Sequence, residues 1–299
     1  MSSLEAAGPA QRDLATLKAI LYVVAATGFF SVMFTSGKFA GDSASALQIL
    51  FLRYVGGVIA IAAVALWRRR SVASMRSKRV PIHVVRVAGG AFGGVAIIFG
   101  TAHMPVVDAT AISQLSVVFV IALGMLFLGE RPNWKHFIAI TVCVAGAGVV
   151  MASRGAFRDF RIDYLIPAGV TLLGAMLVSV EHLMIKILTR IDDPLTTLAH
   201  ANVLGTVMLA VPAILTWQDA GLATFSFLAL GPLAITAQYF NVRGYTLADV
   251  SVLAPVKYTA LIFAAIMGWV FFAEVPTLGV VAGAALIAAG GIALALIRR

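Results

Sequence analysis

The chain has 299 residues, 61% hydrophobic and 12% charged, with a mean hydropathy of +0.99, so its charged share is about half that of soluble domains. A soluble fold of this composition lacks the polar surface to cover itself. Disorder, collagen and a disulfide scaffold are excluded with it, since the 27 glycines have no three-residue period and Cys143 is the single cysteine.

Residues 1–17 are polar, carry Glu5 and Asp13, and read as a short cytoplasmic tail; the apolar runs that follow argue against a cleaved signal peptide. A helical span needs about 20 mostly apolar residues to cross about 30 Å of hydrocarbon. Such spans are expected at 18–36, 46–67, 82–102, 107–128, 134–152, 163–188, 195–217, 222–247, 250–272 and 277–297. The loops between them are too short for a sizeable extramembrane domain. Transmembrane strands would instead alternate in segments of about ten residues.

The net charge of +9 would point to nucleic acid in a soluble protein, but here its meaning depends on placement. With the N-terminus in the cytoplasm, that side receives Arg12, Lys18, Arg68, Arg69, Arg70, Arg76, Lys78, Arg79, Arg131, Lys135, Lys186, Arg190, Arg243, Arg298 and Arg299. The opposite side receives Lys38, Arg154, Arg158 and Arg161. The positive-inside rule therefore expects both termini in the cytoplasm, and Trp67, Trp134, Trp217 and Trp269 fall near span ends as an aromatic belt. Arg53, Arg86 and Lys257 belong to neither face.

A shift of 144 residues superimposes Phe119 on Phe263, Gly124 on Gly268, Glu130 on Glu274, Pro132 on Pro276 and Gly146 on Gly290. A looser echo links Lys38 and Arg53 to Lys186 and Asn202. Two five-span repeats follow, 18–152 and 163–297. Five being odd, the second repeat is inverted, which is the arrangement of alternating access around a midplane site. The doubled motif Gly129-Glu130-Arg131-Pro132 and Ala273-Glu274-Val275-Pro276, each followed by a glycine-rich span, together with an Arg early in span two, resembles the EamA-type branch of the drug/metabolite transporter superfamily over nearly the whole chain. The resemblance implies an all-α integral membrane protein whose ten helices form two inverted repeats around a central cavity. Spans five and ten would lie peripherally. It further implies a bacterial exporter of amino acids or other small metabolites in the cytoplasmic membrane.

Charges deep inside spans usually face a cavity, the bundle interior or each other. Two readings stand for these. Lys257 or Arg53 attracts an anionic group such as a carboxylate, or Lys257 pairs with Glu181 while Arg53 snorkels or pairs with Asp108. Glu181 is also a candidate for proton coupling. Among neutral groups, Gln114, Gln238, Asn241 and Tyr258 lie deep enough to need partners, and the repeat sets Gln114 opposite Tyr258 and Ser113 opposite Lys257. Each also reads as polar glue between helices. Thr27, Ser31 and Thr35 share one face of span one, where they line a cavity or bond back to their own helix. Phe92, Phe99, Tyr239 and Tyr258 are candidates for an aromatic lining. Pro232 and Pro255 interrupt spans eight and nine. Gly89, Gly90, Gly93 and Gly94 in span three, and Gly279 and Gly283 in span ten, have the spacing of close helix packing. The histidines are scattered, so no metal site is expected.

No phosphate-binding Gly-x-x-x-x-Gly-Lys-Ser/Thr occurs, which removes ATP-driven transport by this chain alone. The leading expectation is a secondary transporter exporting small metabolites, chiefly aromatic and neutral amino acids. It would need no cofactor, would bind no nucleic acid, and would act in the bilayer as a monomer or weak homo-oligomer. The alternatives are a drug, cation, sugar or nucleotide carrier of the same fold, or an integral membrane enzyme acting on lipids. The acid pair that an enzyme would use, Asp192-Asp193 before Pro194, reads more simply as a helix cap.

Overall fold

A hydrocarbon interior offers backbone amides no water, so a chain this apolar has to bond them internally, and helices do so within each segment. The computed structural model describes residues 9–128, 134–153, 162–218, 221–253, 255–275 and 277–296. All regular structure among them is helical. In chain order the helices are α1 (Pro9–Ala40), α2 (Ala46–Trp67), α3 (Val80–His103), α4 (Val106–Ser113), α5 (Ser116–Leu128), α6 (Trp134–Ser153), α7 (Ile162–Leu188) and α8 (Pro194–Leu215). A 3-10 segment, Gly221–Ala229, leads into α9 (Leu230–Leu247); α10 (Val250–Leu253), a 3-10 turn at Pro255–Tyr258, α11 (Thr259–Phe272) and α12 (Leu278–Leu296) follow. Among the described residues, six helical stretches are long and apolar enough to cross a membrane. Arg131, Arg154, Arg158, Arg161, Arg298, Arg299, Glu5, Pro276 and the Gly129–Pro132 motif lie outside the described residues.

Every expected span coincides with helical structure, but the fourth and ninth are broken. α4 ends at Ser113 and α5 begins at Ser116, with Gln114 and Leu115 held by short-range bonds such as Leu115 N–H to Ile112 O at 3.1 Å. In the ninth, the 3-10 turn begins at Pro255, whose missing N–H ends the ladder. Pro232 does not interrupt span eight. It sits in the first turn of α9, where its missing donor costs nothing.

Polar side chains fix the helix ends. Ser45 caps α2 by accepting from Gln48 N–H at 3.2 Å, and Asp193 caps α8 by accepting from Thr196 N–H at 2.7 Å, with Pro194 opening the helix. Asp192 has a different use: it accepts from Ser77 Oγ at 2.6 Å and pairs with His83 Nε2 at 2.8 Å, tying the start of α3 to the α7–α8 connection.

The main packing pairs are α3 with α7, α1 with α9, α2 with α8, and α6 with α12. The α3–α7 crossing is close because its seam is glycine. A β-carbon on Gly89 would meet Leu177 O at 2.7 Å, and one on Gly93 would meet Val178 Cγ2 at 2.7 Å, while Gly174 faces Ala96 from the other side. The outside is apolar, with Leu126, Val207, Val211, Leu222 and Leu278 each more than 60% exposed, as lipid contact requires. Trp67, Trp134, Trp217 and Trp269 are all exposed near helix ends.

Candidate functional site

A buried charge is stable only where a partner or water meets it, so the buried ions locate the interior site. Arg53 on α2, Arg86 on α3 and Lys257 in the Pro255–Tyr258 turn are 2%, 0% and 8% exposed. With Glu181 and His182 of α7 they line one cavity of about 110 Å3. Its α3 wall, Arg86, Gly90, Gly94, Ile97 and Thr101, recurs at three- and four-residue steps on one helix face and extends over about 22 Å of rise. The cavity thus occupies the middle of the bundle. α1 supplies Thr27, Phe30, Ser31, Phe34 and Thr35, the α4–α5 bend supplies Ser113 and Gln114, and α9 supplies Gln238 and Asn241. Among the described residues α6, α8 and α12 contribute no lining side chain.

Neither ion pair weighed from the sequence forms. Glu181 Oε1 faces Arg86 Nε at 4.0 Å, while Arg86 Nη1 donates to Thr197 O of α8 at 2.8 Å. The Glu181 carboxylate is within electrostatic range of Lys257 and Arg53 as well. Lys257 Nζ instead meets His182 Nε2 at 2.6 Å, within hydrogen-bonding distance. Arg53 stacks on Tyr54, its Cζ 3.9 Å from the ring centroid, and its Nε has no hydrogen-bond partner.

Both readings of the α1 hydroxyls hold at once. Thr35 Oγ1 donates to Ser31 O at 2.6 Å and Thr27 Oγ1 to Val24 O at 2.7 Å, yet Thr27, Ser31 and Thr35 all line the cavity. Thr27 also meets Thr259 Oγ1 at 2.9 Å, linking α1 to α11. Ser113 Oγ donates to Thr110 O at 2.7 Å, and Asn202 Nδ2 of α8 approaches Gln238 Oε1 at 3.5 Å. The Asn241 amide oxygen is buried without a partner.

Of the expected site residues, the structure brings together Ser31, Arg53, Ser113, Gln114, Glu181, Gln238, Asn241 and Lys257. It sets four apart. Tyr258 is 1% exposed and sits in an apolar cluster with Val117, Val120 and Leu261, because its neighbour Lys257 takes the cavity-facing direction. Phe92 is 44% exposed, on the side of α3 opposite Gly90 and Gly94; Phe99, seven residues on, shares that side and packs on His103. Tyr239 is 38% exposed beside Gln238. The aromatic lining comes instead from Phe30, Phe34 and Tyr54. Sequence reasoning also missed Arg86 and His182 as site residues. Arg86 carried a signal, being one of the cations that matched neither membrane face; His182 carried none beyond its position next to Glu181.

At one end of the bundle Lys38 pairs with Glu274, the acid of the second Glu-x-Pro motif, and its Nζ lies 5.0 Å from the Phe272 ring centroid. This ties α1 to the α11–α12 connection.

The chain matches a model of the EamA-like transporter family twice, over residues 17–152 and 166–296. It is 31% identical to a pseudopaline exporter of Pseudomonas aeruginosa, covering 92% of this chain and 95% of that protein. It is 28% identical to a riboflavin transporter of Brucella anthropi (89% and 94% covered), and 29% identical to a probable terminal-alkyne amino-acid exporter of Streptantibioticus cattleyicolor (84% and 83% covered). A solved crystal structure shares the fold, with a TM-score of 0.74 at 18% identity over 94% of this chain and 96% of that one. The lipid-enzyme alternative falls here. The chain belongs to the EamA-like transporter family of the drug/metabolite transporter superfamily, as a multi-pass membrane protein that moves small molecules and is not an enzyme.

Proposed function

We propose that the protein exports small amino-acid-type metabolites across the cytoplasmic membrane, by alternating access of two inverted five-helix halves with both termini in the cytoplasm. The observation that carries this reading is the mid-bundle cavity, which gathers cations from both halves of the chain, an acid and the unpartnered Asn241 amide oxygen. An α-carboxylate suits Arg53, whose Nε has no hydrogen-bond partner. An α-ammonium suits Glu181 and the Asn241 oxygen. Phe30, Phe34, Leu50 and Ile97 give an apolar wall for a neutral or aromatic side chain. The packing supports the inverted halves: exchanging the first five expected spans for the last five turns α3–α7 into α1–α9 and leaves α2–α8 and α6–α12 unchanged. Cationic drugs suit the site poorly, since its cations outnumber its single acid. The unit of function in this proposal is a monomer or weak homo-oligomer.

Purified protein in proteoliposomes should accelerate flux of radiolabelled phenylalanine, methionine or threonine well above protein-free vesicles, tested with and without a pH gradient. No acceleration of any amino acid would sink the assignment.

A further inference from the structure

Taken together, the cavity's charges do not balance. Arg53, Arg86 and Lys257 face one carboxylate, Glu181, and that carboxylate stands beside Arg86. Arg53 forms no ion pair among the described residues; its guanidinium stacks on the Tyr54 ring and its Nε is unpartnered. Lys257 meets a histidine nitrogen, a partner that brings no negative charge. Among the described residues three buried cations therefore share one carboxylate, an excess of positive charge whose burial costs several kcal/mol. A purely structural cavity would gain from apolar residues in place of Arg53 and Lys257. Cavity water can hydrate the two heads between turnovers, and a ligand carrying two carboxylates replaces that water with charge-assisted bonds.

We infer that the cavity is selective for dicarboxylates, with Arg53 and Lys257 as the specificity-determining residues, each receiving one carboxylate. The inference rests on the transport reading above and deepens it. For an amino-acid substrate the favoured member is an acidic one, its ammonium group placed between Glu181 and the Asn241 oxygen. The apolar wall then contacts the carbon chain between the charged ends. Neutral amino acids still enter, but they leave one cation unmatched.

The test compares isosteric pairs that differ only in one charge: glutamate with glutamine, aspartate with asparagine, and succinate with its monoamide. Binding is read by displacement or by ligand-induced thermal shift on the purified full chain, and flux in proteoliposomes. The acid of each pair should bind at least about tenfold more tightly than its amide, the scale of one hydrogen bond to a charged group. Lys257→Gln and Arg53→Gln should each bring acid and amide to within about threefold of one another, on the same scale. Glutamine and phenylalanine binding as tightly as glutamate would overturn the inference and leave amino-acid transport standing. Succinate binding with no amino acid bound or moved would uphold the charge selectivity and sink the amino-acid reading. No acid preferred over its amide in the unsubstituted protein overturns the inference whatever the variants do, so it does not depend on their folding.

Discussion

Arg86 is the cation nearest Glu181, with Lys257 and Arg53 further off, so removing it deprives the carboxylate of its first partner and Thr197 O of its donor, whereas removing acid and base together relieves the first of these losses. Arg86→Met should therefore destabilise the protein by about 3–5 kcal/mol, read as a lower thermal midpoint in detergent, and Glu181→Gln added to it should recover a large part of that loss. A double variant no more stable than Arg86→Met would show that Arg86 matters for shape, not charge. Ala273 makes a second residue-scale test. It ends α11 in the left-handed region at φ 56°, returning Glu274 N–H to Gly268 O at 2.9 Å and turning the carboxylate toward Lys38. A left-handed alanine costs about 1 kcal/mol that glycine does not, so Ala273→Gly should raise the thermal midpoint with the ion pair retained. A lower midpoint would contradict the strain. The buried charges were legible in the sequence because ions are rare in apolar runs; their partners were not, since equal depth in two helices does not fix which faces meet. Lys257 and Tyr258 make the point. Neighbours in a helical turn point about 100–120° apart, so one residue of an adjacent pair can face the cavity while the other turns into the core, and which one does so depends on the packing around the turn.

Among elements, the α3–α7 seam depends on what glycine omits. Gly93→Val should cost about 1–3 kcal/mol through overpacking against Val178 and the Gly174 carbonyl, while Gly169→Ala, with open space around its β-carbon, should cost little. Equal losses at both positions would mean that the seam is not close-packed in the membrane. The seam was visible beforehand in the spacing of Gly89, Gly90, Gly93 and Gly94, as was the start of α8 from Asp192-Asp193 and Pro194. The break of span four was not. Span nine announces its break with Pro255, but Gln114 and Leu115 carry no proline or glycine, and the bend is set by tertiary packing rather than local propensity. Apolar periodicity reads straight through it. The aromatic lining was misplaced for a related reason: α3 turns Phe92 and Phe99 outward once Gly90 and Gly94 face the cavity, and that rotation depends on neighbours that one sequence does not reveal.

At the scale of the molecule, the proposed two halves both contribute to the cavity, α1, α2 and α3 from one and α7, α9 and α11 from the other. Hydrophobic length alone made most of this architecture readable, because a bilayer admits few solutions for so apolar a chain. In the proposed mechanism the two halves rock around this site and expose it to one side of the membrane at a time. Lys38 and Glu274 fasten one end of the bundle, so Glu274→Gln should favour the state open at that end. The direct measurement is thiol accessibility of Ser113→Cys in a Cys143→Ser background, the native cysteine being fully buried. A membrane-impermeant reagent added from either side of oriented vesicles should label position 113, with a bound substrate slowing both reactions and Glu274→Gln shifting their ratio. Labelling from one side only, under every condition and with every substrate, would contradict alternating access through this cavity.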